Sequence, residues 1–258
     1  MSNIHPTAIV DPKAKIGENV SIGPYSVISD NVEIGENCQI GTQVVILPGA
    51  RIGRDCKIYH HAVISEIPQD LKFGGEETTA EIGDRTVIRE FVTINRGTQQ
   101  HWKTVVGSDC LLMAYVHVAH DCIIGDHVIM ANAVNLAGHV QIEDWVIMGG
   151  MVGVLQFSRI GQHSIIGGQF RVSKDVPPYI MAAREPLAYE GLNRVGLKRR
   201  NFAPETILAL KRAYNLIYHS EYNVSDALRK IEETTELMIP EVQNVIDFIK
   251  KSSRGIIH

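Results

Sequence analysis

Aliphatic residues recur along this chain at a fixed interval of six. From Ile4 in steps of six to Val172, 26 of the 29 positions are Ile, Val, Leu or Met, with unbroken runs from Ile4 to Ile64 and from Val106 to Val172. Six is a multiple of the strand period of two, whereas a helix of about 3.6 residues per turn would smear such a spacing around its surface. The pattern predicts short strands separated by turns. The residue two before each aliphatic is mostly small or β-branched (Val20, Ser26, Val32, Cys38, Val44, Ala50), as expected if it shares the inward face. The residue just after it is often glycine (Gly17, Gly23, Gly35, Gly41, Gly53, Gly107, Gly125), which suggests a tight corner with dihedrals open to glycine. The three exceptions, Asp70, Glu76 and Gln100, lie in polar stretches, so the chain is expected to leave the repeat at about 65-81 and 95-105.

The repeat stops at KDVPPY, where paired prolines interrupt regular structure. Helical patterns follow. Pro204 and Glu205 suit a first turn, Ser225 offers an N-cap, and a last segment opens at Pro240 and closes in Lys, Arg and Gly. The expected organisation is a repeat domain over 1-185 and a helical domain over 186-258 that caps the open end of the stack.

Tandem hexads of the form [LIV]-G-x-x-[small]-x resemble the hexapeptide-repeat acyltransferases. That resemblance implies a mainly β fold, a left-handed parallel β-helix of triangular section with three hexads to a coil, followed by the C-terminal α-helical domain. The left hand comes from the resemblance, since periodicity carries no handedness and the usual crossover is right-handed.

Composition narrows the remaining choices. A net charge of −4 gives no general reason to expect nucleic acid or an anionic membrane as partner. The start, MSNIHPTAIVDPKAK, has no apolar signal core, and no later stretch approaches the roughly 18 apolar residues of a membrane span, so a cytoplasmic protein is expected. Cys38, Cys56, Cys110 and Cys122 form no CxxC pair, and all four stand on the inward repeat phase. They read as core packing, which argues against Cys122 as a nucleophile.

Candidate chemistry centres on HVAHDC, residues 117–122. His120 and Asp121 fall outside the inward phase, so the imidazole is expected to project into solvent from the column. One coil on from 120 is Gly138, and a further coil on is Gln156, a ladder with steps of about 4.8 Å. This arrangement suits acyl transfer: His120 takes a proton from an acceptor hydroxyl, Asp121 sets its tautomer, and a backbone N–H near Gly138 stabilises the oxyanion. Read alone, the six residues also allow a plain surface histidine. A zinc site of His117, His120 and His139 is a further reading, like the gamma-class carbonic anhydrases. There two of the histidines are five apart, whereas here the pair is three apart and followed by Asp, so no metal is expected. A non-catalytic solenoid would show uniform outer faces, and these are irregular.

A closer resemblance rests on IPQDLKF, IREFVTINRGT, HVAHDC, LAGHV, GGMVGVLQF, DVPPY and GLNRVGLKRRNF, in that order. Jointly they are similar to the UDP-N-acetylglucosamine O-acyltransferases of lipid A and lipopolysaccharide biosynthesis. The resemblance implies transfer of a (R)-3-hydroxyacyl chain from acyl carrier protein to the glucosamine 3-hydroxyl of UDP-N-acetylglucosamine, by a homotrimer, without a cofactor. It makes His120 the base, Asp121 its partner and Gly138 the oxyanion donor. His117, His139, Gln156, Gln69, Asp70 and Lys72 would line the substrate groove, Gly168 would mark the far end of the acyl chain, and Asn193, Arg199 and Arg200 would reach the nucleotide. The forked guanidinium donors of the last two suit a diphosphate. Leu155 stands where the family often has histidine, and Val195 where it often has an acidic residue. Those departures bear on the nucleotide contacts and leave a 3-amino sugar open as acceptor.

Overall fold

A computed structural model describes residues 3–258. The hexads form strands of mostly two residues, such as Lys15–Ile16, Ser21–Ile22 and Val27–Ile28. Each strand pairs in parallel with the strand one coil away, giving sheets of eleven, nine and eight strands that make the three faces of a column. The second residue of each pair turns inward, so Ile22, Ile28, Ile34, Ile40, Ile46 and their successors are buried along the axis. Each such burial contributes about 1.5–3 kcal/mol, and a coil exists only through its neighbours. The four cysteines sit in this core, as expected, and are free thiols.

The glycines of the repeat have a different role from the one their sequence position suggested. The left-handed conformation falls two residues later, on Asn19 (φ 56°), Asn37 (φ 60°), Asp55 (φ 58°) and even Trp145 (φ 63°). The glycines are required because stacked coils touch there: a methyl group on Gly17 would stand 2.6 Å from the Glu36 nitrogen, and one on Gly23 2.5 Å from the Gly41 oxygen. Asn and Asp tolerate positive φ through local hydrogen bonding. Several aromatic residues that take it stack on the next coil, as in His61, Phe91 and Tyr115 with centroids 4.8 and 5.0 Å apart.

Two loops interrupt the coils, between strands Val63–Glu66 and Thr79–Ile82 and between Thr93–Asn95 and Lys103–Val106. Stacked residues are normally 18 apart, as for Asn37 and Asp55. Across the loops the interval becomes 30 (Arg54 and Asp84) and 24 (Arg85 and Asp109). The insertions are worth two hexads and one, which is why the six-residue phase survives them.

The column ends in the strand Ile180–Ala183, which pairs in parallel with Ile165–Ile166 and antiparallel with Ala188–Leu192. Helices α1 (Arg194–Arg199), α2 (Pro204–Tyr218), α3 (Val224–Glu232) and α4 (Pro240–Lys250) follow. Pro204 and Pro240 open their helices as the sequence suggested. Ser225 does not cap α3: the cap is Asn223, whose side chain accepts from the Asp226 N–H at 2.9 Å. The chain returns to the last coil at Asp175, which accepts from the Arg159 N–H at 2.8 Å and from the Ser252 hydroxyl at 2.6 Å.

Candidate active site

His120 and Asp121 form the corner after strand His117–Val118, with Asp121 at the left-handed position (φ 60°). This turn directs the carboxylate back along the imidazole. His120 Nδ1 and Asp121 Oδ2 are 2.8 Å apart. Thr98 donates to the same carboxylate twice, from its N–H to Oδ1 at 3.0 Å and from its hydroxyl to Oδ2 at 2.7 Å. The Asp121 N–H donates to Thr104 Oγ1 at 2.8 Å. Burial pushes the Asp121 carboxyl up, but the hydrogen bonds from His120 and Thr98 outweigh it, and the net displacement is downward. The expectation that His120 projects into solvent requires correction. Its ring lies outside the apolar column, yet His120 is 6% exposed, because the second loop with Thr98 covers the corner.

Gly138 stacks directly on this ring. A Cβ there would stand 2.6 Å from His120 Cε1 and 2.8 Å from Nε2. At several other corners the equivalent N–H is capped by a side chain of the next coil: Thr42 donates to His60 at 3.0 Å, Arg54 to Asp84 at 2.8 Å, Ser108 to Asp126 at 2.7 Å and Asp126 to Asp144 at 2.8 Å. The Gly138 N–H has no acceptor among the described residues. At three of these four corners the atom held at that position is a carboxylate oxygen.

His139 packs edge-on to His120, with centroids 5.0 Å apart, and stacks on Phe157 at 4.5 Å. His117 Nδ1 lies 2.7 Å from Thr93 Oγ1. Both imidazoles are displaced downward by burial; in His117 the neighbouring His120 adds to it, and in His139 Asp121 opposes it. Burial also drives the Cys122 thiol up to about 12, which removes it as a thiolate nucleophile.

Two cavities meet at His120. One, of about 580 Å³, lies beneath the loops and is lined by Gln69, Asp70, Lys72, His120, His139 and Gln156 among others. The second, of about 470 Å³, runs along the strand face and is lined by His117, His120, Gly138, Leu155, Gln156 and Gln69 among others. Eight of the residues expected at the site line these cavities, and a ninth, Asp121, stands behind His120. Four do neither, within one chain. Gly168 lies on the corner after Ile165–Ile166, a different edge of the column, packed on Gly150. Asn193 caps α1 through the Gly196 N–H at 3.0 Å and donates to the His163 carbonyl at 2.9 Å. Arg200 lies over the Trp145 ring at 4.9 Å and donates to its carbonyl at 3.3 Å. Arg199 is exposed at the end of α1.

Sequence reasoning missed Thr98, Gln99, Gln100 and Glu76, which also line the first cavity. The motif INRGT contains Thr98, but nothing in its spacing pointed to Asp121. The zinc reading fares poorly. The side chains that converge are His120, Asp121 and His139, with ligand atoms within 4.8 Å of one another, while His117 turns to Thr93. Two ligands on a tetrahedral zinc, each about 2.0–2.1 Å from the ion, stand roughly 3.4 Å apart, whereas His120 and Asp121 approach at the hydrogen-bond distance of 2.8 Å.

Comparison with known proteins identifies the family. Residues 175–257 match the family described as UDP-N-acetylglucosamine O-acyltransferase, domain 2, and residues 31–66 and 103–138 match the bacterial transferase hexapeptide family. An acyl-[acyl-carrier-protein]--UDP-N-acetylglucosamine O-acyltransferase of Thiobacillus denitrificans is 46% identical over 258 residues, covering 100% of both chains. A UDP-N-acetylglucosamine acyltransferase structure from Bacteroides fragilis superposes with a TM-score of 0.97 at 50% identity, covering 98% of this chain and 99% of that one. One from Acinetobacter baumannii gives 0.95 at 44% identity, covering 99% of each. The column is therefore the left-handed parallel β-helix of hexapeptide repeats, and the chain belongs to the UDP-N-acetylglucosamine O-acyltransferase family.

Proposed function

We propose that this protein transfers a (R)-3-hydroxyacyl chain from acyl carrier protein to the 3-hydroxyl of UDP-N-acetylglucosamine, the first step of lipid A biosynthesis, acting as a homotrimer in the cytoplasm. The observation that carries the reading is the pairing of His120 Nδ1 with Asp121 while the Nε2 edge faces Gly138, whose N–H is open, at the meeting of two cavities. The Asp121 carboxylate keeps the proton on Nδ1 and leaves the Nε2 lone pair for base catalysis. Nε2 takes the proton of the sugar hydroxyl as its oxygen attacks the thioester carbonyl. The Gly138 N–H stabilises the oxyanion that forms. Collapse breaks the carbon–sulfur bond, and the departing thiolate recovers the proton from the imidazolium. No serine, thiol or metal takes part.

The cavity beneath the loops, with Lys72, Gln69 and Asp70 at its wall, suits the nucleotide sugar, and the strand-face groove with Leu136, Val154 and Leu155 suits the acyl chain. Gly168, Asn193, Arg199 and Arg200 lie on other edges of the same chain, so a neighbouring copy is the natural source of those contacts. The chain has no helix long and apolar enough to cross a membrane among the described residues.

The test is an assay with 3-hydroxyacyl carrier protein and UDP-N-acetylglucosamine, with a 3-amino sugar nucleotide as a parallel acceptor. His120→Ala is expected to lower kcat by about 10²–10⁴-fold with the thermal transition retained. Gly138→Ala, whose methyl group collides with the imidazole, should fall similarly. Near-normal turnover by His120→Ala would remove it as the base, and preference for the amino sugar would replace the ester product by an amide.

A further inference from the structure

The hydrogen-bond chain at the corner does not stop at Asp121. Both oxygens of that carboxylate are occupied from one residue, Thr98, by its N–H on Oδ1 at 3.0 Å and its hydroxyl on Oδ2 at 2.7 Å. Oδ2 is also the oxygen that meets His120 Nδ1. A carboxylate gripped at both oxygens is held against rotation away from the ring, and at 1% exposure bulk water has no access to replace a missing donor. Thr98 itself is 8% exposed, so its hydroxyl serves this contact and not solvent.

The segment that carries Thr98 is fixed from several sides. The Asn95 amide donates to the Ile67 carbonyl at 2.9 Å, the Arg96 N–H to the Glu66 carbonyl at 3.0 Å, and the Arg96 guanidinium to the Pro48 carbonyl at 3.0 Å. The same guanidinium lies 5.5 Å from the centre of the Phe73 ring. The Gly97 carbonyl accepts from the Thr78 hydroxyl at 2.6 Å, and a Cβ on Gly97 would meet the Lys103 nitrogen at 2.3 Å. Residues 95–98 thus join the base of the loop bearing Gln69, Asp70 and Lys72 to the carboxylate behind His120.

We infer that Thr98 is a positioning residue for the acyl transfer, the third member of a His120–Asp121–Thr98 chain, and that the 95–98 segment sets the imidazole and the substrate loop in one common frame. The inference rests on the acyltransferase reading above. The Thr98 N–H and hydroxyl are both spent on the Asp121 carboxylate, so Thr98 acts on the base through Asp121. Removing its hydroxyl leaves Oδ2 with the imidazole as sole donor, which makes the carboxylate more basic and favours the protonated imidazole.

Thr98→Val keeps the side-chain shape and deletes the donor. It is expected to lower kcat about 10–100-fold, the worth of a hydrogen bond to a charged group, and to move the acid limb of the kcat/KM profile to higher pH. Thr98→Ser should restore both. In an Asp121→Asn background, Thr98→Val should cost no further activity, because the path through the carboxylate is already cut. This double-variant comparison holds even if Thr98→Val lowers the thermal midpoint. A rate within twofold of the parent, a fall in rate with the limb unmoved, or a full additional loss on top of Asp121→Asn would each overturn the inference. Absence of acyl transfer by the parent protein would instead overturn the reading on which it rests.

Discussion

His163 shows how burial at a single residue becomes a property of the whole chain. It sits between Trp145 and Tyr179 with ring centroids 6.1 and 5.6 Å away, and its Nδ1 is buried without a partner. Burial, with a smaller contribution from Arg200, lowers its imidazole to about 4 from the ordinary 6.5. Between those values the unfolded chain binds more protons than the folded one. The associated stability is therefore complete above pH 6.5 and is lost as pH falls towards 4, on the order of 3 kcal/mol. Urea unfolding at pH 7 and 4.5 should show this loss, and His163→Phe should flatten it; an equal slope in both proteins would assign the acid sensitivity elsewhere. The same physics separates His120 from its sequence reading. Its register put it outside the core, which is correct, but a loop from another coil decides how much water reaches it.

At the scale of the element, the glycines distinguish what a repeat motif says from what it means. Gly35→Ala would bring a methyl group to 2.6 Å of the Gly53 oxygen, a backbone atom that cannot give way. The expected cost is about 1–3 kcal/mol of overpacking. Gly153, within a strand of the same column, has nothing within 4 Å of an added Cβ. Gly153→Ala should be neutral or stabilise by about 0.4–1 kcal/mol through the unfolded chain. Thermal unfolding of the two variants checks the contrast, and equal effects would show that coil contact is not what selects glycine. Periodicity located Gly35 and its equivalents but assigned them a dihedral role, since a sequence holds no information about the atoms stacked one coil away. Ser225 failed as a cap because Asn223 and Ser225 are both good capping residues and α3 begins at Val224, which leaves the cap to Asn223.

For the molecule as a whole, the open question is how many chains make one site. Gly168, Asn193, Arg199 and Arg200 stand away from the corner that bears His120, and the proposal places them in neighbouring copies. Sedimentation should give three chains. His120→Ala and Arg199→Ala proteins, each impaired alone, should recover activity when unfolded and refolded together, because mixed trimers contain sites with both residues intact. Activity no greater than the sum of the two parts would mean that each chain builds its site alone.

The order of residues was enough to determine the stacked column, its inward face, the buried thiols and the register that sets His120, Gly138 and Gln156 one above another. The inward face and the buried thiols follow from a period of six and the burial of aliphatic side chains, and the register follows once the family resemblance supplies three hexads to a coil. What the tertiary structure alone decided is the environment of the reacting groups. The loops that depart from the repeat have no period, so their return over His120, the grip of Thr98 on Asp121 and the open N–H of Gly138 depend on contacts between coils far apart in the chain. Such contacts are set by packing in three dimensions, and no local pattern of residues encodes them.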